Sequence, residues 1–251
     1  AFAFYWILKL GLIMNRLFFI VVLITCLLSN ALGLVFLQGT IDSKYKIAMC
    51  LVSKKNPVGF YFYNKNRIPI LVNGYISESG QIKLGEYVEI GNRNADFAGT
   101  FSEDKFKGTW IYKTKEMSFS LDVVDEKSFY KLFPDLVTDL PNKAVYAYGG
   151  GSSRSGSLDF SMEKGGRFYL DLSRGPPSYN MGSMDGYSKV KNNYIEYSYN
   201  DFGYCKMFIF VFKTHSIVAQ DGDECGFGHA VYGTGIYKKI SNDPKFDIPQ
   251  Y

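Results

Sequence analysis

Residues 95–123, ADFAGTFSEDKFKGTWIYKTKEMSFSLDV, decide the fold of this chain. Three short runs rich in aromatic and other strand-forming residues are separated by charged turn residues, which is typical of antiparallel strands joined by hairpins. Gly99-Thr100-Phe101 and Gly108-Thr109-Trp110 repeat at a spacing of nine residues, and Gly39-Thr40-Ile41 is a third copy. We predict that each glycine lets a strand bend at a barrel corner while the aromatic side chain that follows fills the interior. No strand-to-helix turn follows these glycines, so they do not form a phosphate-binding loop.

The same pattern extends towards the N-terminus and predicts a β-meander over residues 34–123. Seven runs with short connections lie at Tyr45–Val52, Val58–Tyr63, Ile68–Ile76, Gln81–Ile90, Ala95–Phe101, Phe106–Tyr112 and Met117–Val123. Their spacing predicts consecutive antiparallel strands. Since a meander hides its edges best by closing on itself, we expect a small barrel.

Residues 124–142 break this pattern and predict a linker with a short helix. Asp125 can cap the helix, and Phe129, Leu132 and Phe133 would form its apolar face because they are spaced at i, i+3 and i+4. The predicted fold is therefore all-β, with two small antiparallel barrel-like or sandwich-like modules joined by this linker, after an N-terminal signal helix.

The second module is predicted over residues 143–241, followed by a tail at 242–251. Gly149–Gly156 is read as a flexible loop, Gly165-Gly166 as a hairpin turn, and Ser173–Asp185 as a loop-rich segment. Strands are expected at Val145–Tyr148, Ser157–Met162, Arg167–Leu172, Tyr194–Tyr199, Tyr204–Lys213, Ser216–Gln220, Ala230–Tyr232 and Gly235–Lys239.

The N-terminus carries a secretion signal at residues 14–33, MNRLFFIVVLITCLLSNALG. A short basic segment at Met14 precedes an apolar run that is too short to span a membrane, and small residues follow at a signal-peptidase spacing. We interpret residues 1–13 as an upstream segment that precedes the true start; the alternative is a membrane anchor formed together with this run. Cys26 suggests a lipoprotein box, which Thr25 before it disfavours. The sequence thus predicts an exported protein, periplasmic or extracellular, with a soluble mature form.

Export would place the cysteines in an oxidising compartment, where disulfides form. Three of them, Cys50, Cys205 and Cys225, follow the signal. In an oxidising compartment we expect Cys205 and Cys225 to form a disulfide, because Cys50 belongs to the other module. This bond would stabilise the fold by about 3 kcal/mol on the chain-entropy model. Cys50, within an apolar run, is expected to be buried as a small hydrophobic residue.

The charge balance argues against a nucleic-acid partner. The chain has 28 basic and 24 acidic residues, and removal of Lys9 and Arg16 with the signal leaves 26 basic residues and a net charge of +2. Nucleic-acid-binding domains carry a strong basic surface, which this balance does not provide.

Catalytic and metal-binding patterns are sparse. The two histidines are His215 and His229, and a Cys225–His229 nucleophile pair would conflict with the predicted disulfide. The acidic turn Asp221–Glu224 lacks the loop that binds calcium, and no zinc spacing occurs. We therefore predict no enzyme activity, cofactor or metal. The candidate partner-binding residues lie in the glycine-rich loop, namely Ser152, Ser153, Arg154 and Ser155.

Two resemblances bear on function. The segment Cys225-Gly226-Phe227-Gly228, followed by the strand Gly235-Ile236-Tyr237, resembles the end of uncharacterised bacterial exported proteins. A second, weaker likeness is to periplasmic lysozyme inhibitors, whose binding loops include a Ser-Gly phrase similar to Ser155-Gly156. These resemblances imply a protein of the bacterial envelope and, from the second, inhibition or binding of a protein such as lysozyme.

The sequence therefore predicts an exported, non-enzymatic binding protein whose partner is a protein or glycan of the cell envelope. One alternative is a carrier of small apolar ligands that uses the first barrel as its pocket, unless aromatic residues such as Phe60 and Phe62 fill it. A further alternative is a hydrolase that uses the carboxylates of Asp159, Asp171 or Asp185.

Overall fold

The computed structural model describes residues 33–52, 56–89, 92–102, 104–149, 154–176 and 179–246. The predicted signal at 14–33, the segment before it, and Ser152 and Ser153 of the candidate loop lie outside these ranges, apart from Gly33. Within the described residues, no helix is both long enough and apolar enough to cross a membrane. The described residues from Leu34 to Phe246 form one compact unit.

The first half is a closed barrel of eight antiparallel strands in sequential order. The strands are β1 (Val35–Ile41), β2 (Tyr45–Val52), β3 (Val58–Tyr63), β4 (Ile70–Ile76), β5 (Gln81–Glu89), β6 (Asn92–Phe101), β7 (Lys105–Tyr112) and β8 (Lys115–Val124). The predicted barrel is confirmed, but the predicted runs lacked β1. This strand closes the barrel because it pairs with both β2 and β8.

The repeated glycines lie where the neighbouring barrel strand leaves no room for a Cβ atom. Gly99 and Gly108 are register partners on β6 and β7, and a Cβ atom on Gly108 would overlap the carbonyl oxygen of Ala98. Trp110 lies inside the barrel, as predicted for the residue after Gly-Thr. The same prediction is wrong for Phe101, which is 37% exposed, because Phe106 on the next strand occupies the interior and Phe101 stacks on it from the strand end.

The second half is an eight-stranded antiparallel sheet in the order β12-β11-β10-β9-β16-β15-β14-β13. Its strands are β9 (Lys143–Tyr148), β10 (Arg154–Ser161), β11 (Arg167–Arg174), β12 (Met181–Tyr187), β13 (Tyr194–Tyr199), β14 (Cys205–Val211), β15 (His215–Asp221) and β16 (Gly235–Ser241). The expected loop at Ser173–Asp185 in fact contains most of β12, a glycine-bearing edge strand held by its pairing with β11. Residues 230–232 are not a strand, because Ala230 adopts a left-handed turn conformation with φ 59°.

Two short helices, α1 (Glu126–Leu132) and α2 (Asp135–Thr138), follow the barrel. The Asp125 carboxylate caps α1 by accepting a hydrogen bond of 2.9 Å from the Ser128 backbone N–H. Phe129 is buried as predicted, but Leu132 is 57% exposed. Tyr130 is buried in its place, and its hydroxyl donates to Asn193 Oδ1 at 2.6 Å. The buried face of the helix is therefore rotated from Leu132 towards Tyr130 relative to the prediction.

A hydrophobic core joins the barrel wall, α1 and the second sheet. Phe60 and Phe62 point out of the barrel into this core rather than filling its interior. The Phe60 ring lies 4.9 Å from the Phe210 ring and 5.1 Å from the Phe212 ring, and Phe62 lies 4.9 Å from Phe133. The two predicted modules are thus packed against each other over aromatic side chains.

The predicted disulfide between Cys205 and Cys225 is confirmed, with 4.9 Å between the Cα atoms. Cys50 is a free, buried thiol in the core between the barrel and the sheet. The Cys-Gly-Phe-Gly segment lies against the edge strand β12, where Phe227 packs on Gly182 and the Gly228 N–H donates to the Met181 carbonyl. Phe202 packs on Gly226. Gly226 has φ 75°, a conformation that favours glycine.

Candidate functional site

An open cleft of about 440 Å³ lies where the barrel wall meets the end of β15. Two groups of residues line it. The barrel contributes Asn56, Val58, Leu71, Asn73 and Tyr87, and the second sheet contributes Arg154, Gln220, Asp221, Gly222, Asp223, Tyr232 and Thr234. The cleft exists only because the barrel and the sheet share a core.

The floor on the sheet side is held by hydrogen bonds of Gln220. Its side-chain amide donates to the Gly222 carbonyl at 2.9 Å and accepts from the Gly233 N–H at 2.8 Å. The Gln220 backbone N–H in turn donates to Thr234 Oγ1 at 3.1 Å. Because the disulfide anchors the loop between Gly222 and Gly233, the acidic turn at the cleft is fixed in position.

Tyr204 holds two acidic residues, one at the end of β15 and one in the turn that follows it. Its hydroxyl donates to Asp221 Oδ2 at 2.9 Å, and its backbone N–H donates to Glu224 Oε2 at 2.8 Å. Burial, followed by the hydrogen bond to Asp221, raises the pKa of Tyr204 to about 12. The described residues contain no group of three or more metal-ligating side chains. The turn thus presents fixed hydrogen-bond acceptors beside the cleft, and Asp223, which is exposed, adds a third carboxylate.

Arg154 and Tyr232 form the wall opposite the barrel. The Arg154 guanidinium lies over the Tyr232 ring, 5.8 Å from its centroid, and the ring is 46% exposed. The prediction of a flexible loop over Gly149–Gly156 is wrong for Arg154–Gly156, which begin β10 because they pair with β11. Of the candidate partner-binding residues, Arg154 lines the cleft. Ser155 lies outside its lining and hydrogen bonds to Ser173 Oγ on the neighbouring strand at 2.6 Å.

A buried carboxylate inside the barrel was missed from the sequence. Glu86 follows Ile82 and Leu84 at alternate positions of β5, so the period of the strand places it inside. Tyr61 donates to Glu86 Oε2 at 2.5 Å, Trp110 donates to the same oxygen at 3.2 Å, and Asn94 donates to Oε1 at 2.9 Å. Burial, and then the charge of Glu86, raise the pKa of Tyr61 well above its ordinary value.

The rest of the barrel interior is filled by side chains. Phe97, Phe106 and Phe119 are buried there, with ring centroids 4.7 to 5.2 Å apart in the contacts through Phe119. This packing gives no support to a carrier that holds an apolar ligand inside the barrel, because such a ligand needs an open cavity.

The residues of the hydrolase alternative do not line the cleft. Asp159, Asp171 and Asp185 alternate with buried residues of β10, β11 and β12, so they lie on the outer face of the sheet. Asp159 accepts hydrogen bonds from the backbone N–H groups of Lys245 and Phe246. Cys225 is in the disulfide and so provides no thiol to pair with His229.

Comparisons with protein-family models, curated proteins and solved structures give no match to this chain. The function is therefore argued from the geometry of the cleft.

Proposed function

We propose that this chain is an exported, non-enzymatic binding protein of the bacterial envelope, and that its cleft binds a glycan. The observation that carries the proposal is the lining of the cleft. Tyr232, which is 46% exposed and has the Arg154 guanidinium over its ring, lies among the side-chain amides of Asn56 and Asn73 and the carboxylates of Asp221 and Asp223.

This combination suits a sugar ring better than an apolar ligand. A sugar carries hydroxyl groups at its rim, and each hydroxyl can donate one hydrogen bond and accept others. Amides and carboxylates provide planar partners for neighbouring hydroxyls, while the C–H face of the ring packs on an aromatic side chain. A volume of about 440 Å³ is within the usual range for small-molecule clefts, which is about 300–1,000 Å³.

Export is supported by two features. The sequence at 14–33 has the order of segments found in a secretion signal, and the buried disulfide is compatible with an oxidising compartment. An envelope glycan is a ligand that an exported protein meets.

The test is calorimetric binding of soluble peptidoglycan fragments, with N-acetylglucosamine trisaccharide as a second probe. We expect saturable binding that Tyr232→Ala weakens about tenfold, equivalent to ~1.4 kcal/mol, because the stacking surface is lost. Tyr75→Ala is the matched control, since Tyr75 is 55% exposed on the barrel and does not line the cleft.

Absence of binding to both probes would contradict the proposal, as would an equal loss of affinity in the two variants. Inhibition of lysozyme by the protein, without glycan binding, would instead favour a protein partner that contacts Arg154. In that case Arg154→Ala should abolish the inhibition.

A further inference from the structure

A second concave surface, of about 400 Å³, lies at the other end of β15 from the cleft. The turn between β14 and β15 and the end of β16 form it. Its basic and hydroxyl-bearing residues are Lys213, Thr214, His215, Lys238, Lys239 and Ser241. Since β15 rises about 3.3 Å per residue, His215 and Asp221 are separated by ~20 Å, so this surface is distinct from the cleft.

Backbone pairing holds these side chains together. The Lys239 N–H donates to the Thr214 carbonyl at 2.9 Å, which fixes the turn against β16. His215 and Lys238 are register partners on adjacent antiparallel strands, so their Cβ atoms lie about 5 Å apart. Thr214 Oγ1 and His215 Nδ1 are 2.9 Å apart, which orients the imidazole ring and leaves Nε2 as the nitrogen for a further partner.

The positive charge of this surface is only partly balanced. Asp139 lies 3.7 Å from Lys213, but both side chains are largely exposed, so the pair is weak. Asp243 lies at the edge of this surface, because its backbone N–H donates to Ser241 Oγ at 3.0 Å; the Ser241 hydroxyl can still donate to an anion. Within the described ranges, Lys238 and Lys239 have no ion-pair partner. Burial, and then the neighbouring charge of Lys238, lower the pKa of His215.

We propose that this surface binds a phosphate-type anion, held by Lys238, Lys213 and His215 with the hydroxyls of Thr214 and Ser241. Ammonium groups and hydroxyls supply donors for the several acceptor oxygens of such a group, and hydrogen bonds between ions are the stronger ones. When protonated, His215 adds a further donor. The site is independent of the glycan proposed for the cleft.

The two histidines make the test direct, because His215 and His229 are the only imidazoles in the chain. Inorganic phosphate is added to the full chain at constant ionic strength, and the imidazole C–H resonances are followed by NMR between pH 5 and 8. We expect a saturable shift of the His215 resonance and a rise in its pKa of about one unit. This rise corresponds to tenfold tighter binding of phosphate to the protonated form. His229 should not respond.

Variants and a vesicle experiment complete the test. Lys238→Gln should remove the phosphate-induced change at His215, whereas Lys107→Gln, an exposed lysine on the barrel, should leave it intact. An unchanged His229 resonance shows that each variant is folded. If phosphatidylglycerol vesicles also shift the His215 resonance, the source of the phosphate is a lipid headgroup. If only free phosphate shifts it, the ligand is a soluble phosphate. Equal shifts of the two histidines, no shift at His215, or a full response in Lys238→Gln would overturn the proposal.

Discussion

The barrel and the second sheet each contain eight antiparallel strands, but they complete their folds by different means. In the barrel, the backbone of β1 pairs with both neighbours, so every strand has two partners. The sheet leaves β12 and β13 as edges, and side chains cover the gap between them. Tyr197 packs on Phe168 at 5.0 Å, and Ser188 Oγ donates to the Glu196 carbonyl at 2.8 Å.

The barrel and the sheet therefore contribute different surfaces to the cleft. The closed barrel has a packed interior, and its outer wall forms one side of the cleft. The sheet places its covering loop, tied by the disulfide, beside that wall, and the acidic turn of the same loop lines the cleft. Barrel closure therefore depends on backbone approach, whereas closure of the sheet depends on side chains and a covalent bond.

The largest expected effect comes from Gly108→Val, which tests closure of the barrel by backbone contact. The new side chain would overlap the Ala98 carbonyl oxygen and approach the Gly99 Cα, and backbone atoms cannot move aside cheaply. We expect a loss of more than about 4 kcal/mol in the free energy of unfolding, measured by urea denaturation.

Gly85→Ala is the control for this substitution. Its new Cβ atom would meet side-chain atoms of Tyr87 and Arg93 at 3.0 to 3.1 Å, which can shift. Similar losses in the two variants would show that backbone approach at Gly108 is not what closes the barrel.

Removal of the disulfide tests closure of the sheet. The double variant Cys205→Ala, Cys225→Ala opens a loop with a sequence separation of 20 residues, and we expect a loss of about 3 kcal/mol. The same loss should follow when the native protein is reduced. A double variant as stable as the native protein would contradict the role given to this bond.

A smaller effect is expected for Glu86→Gln, which tests the polar network inside the barrel. The amide replaces one carboxylate oxygen with a donor, so the hydrogen bonds from Tyr61 or Trp110 weaken. We expect a loss of about 1–2 kcal/mol. Trp110 is the sole tryptophan of residues 34–251, and its fluorescence should change with Glu86→Gln. If the Trp110 emission and the free energy of unfolding are both unchanged, Glu86 does not hold this polar network together.

Strand alternation predicted the barrel well, and its failures have physical reasons. β12 was missed because its sequence MGSMDGY contains two glycines, and pairing with β11 decides its conformation. The residues of β14, CKMFIFV, are apolar at successive positions as well as alternate ones, which is typical of a strand buried on both faces. If β14 is interpreted as a strand buried on both faces, Phe208 and Phe210 are expected to lie in a core shared with another part of the chain.

The candidate site was less accessible to prediction. Arg154 was predicted as a partner-binding residue, although it lies at the start of β10 and not in a loop. Asn73 and Tyr232 lie far apart in the sequence and meet only after the barrel packs on the sheet. No local pattern marks such a cleft. Glu86, in contrast, could have been found, because a carboxylate at an inward position of an alternating strand is a clear signal.

The central claim is that both halves of the molecule form one glycan-binding cleft. Calorimetric titration of soluble peptidoglycan fragments into Asn73→Ala, on the barrel wall, and Tyr232→Ala, on the sheet side, tests it most directly. We predict that each variant weakens binding about tenfold while the native fold is retained. Native affinity in either variant would contradict the claim, because one wall of the cleft would then take no part in binding.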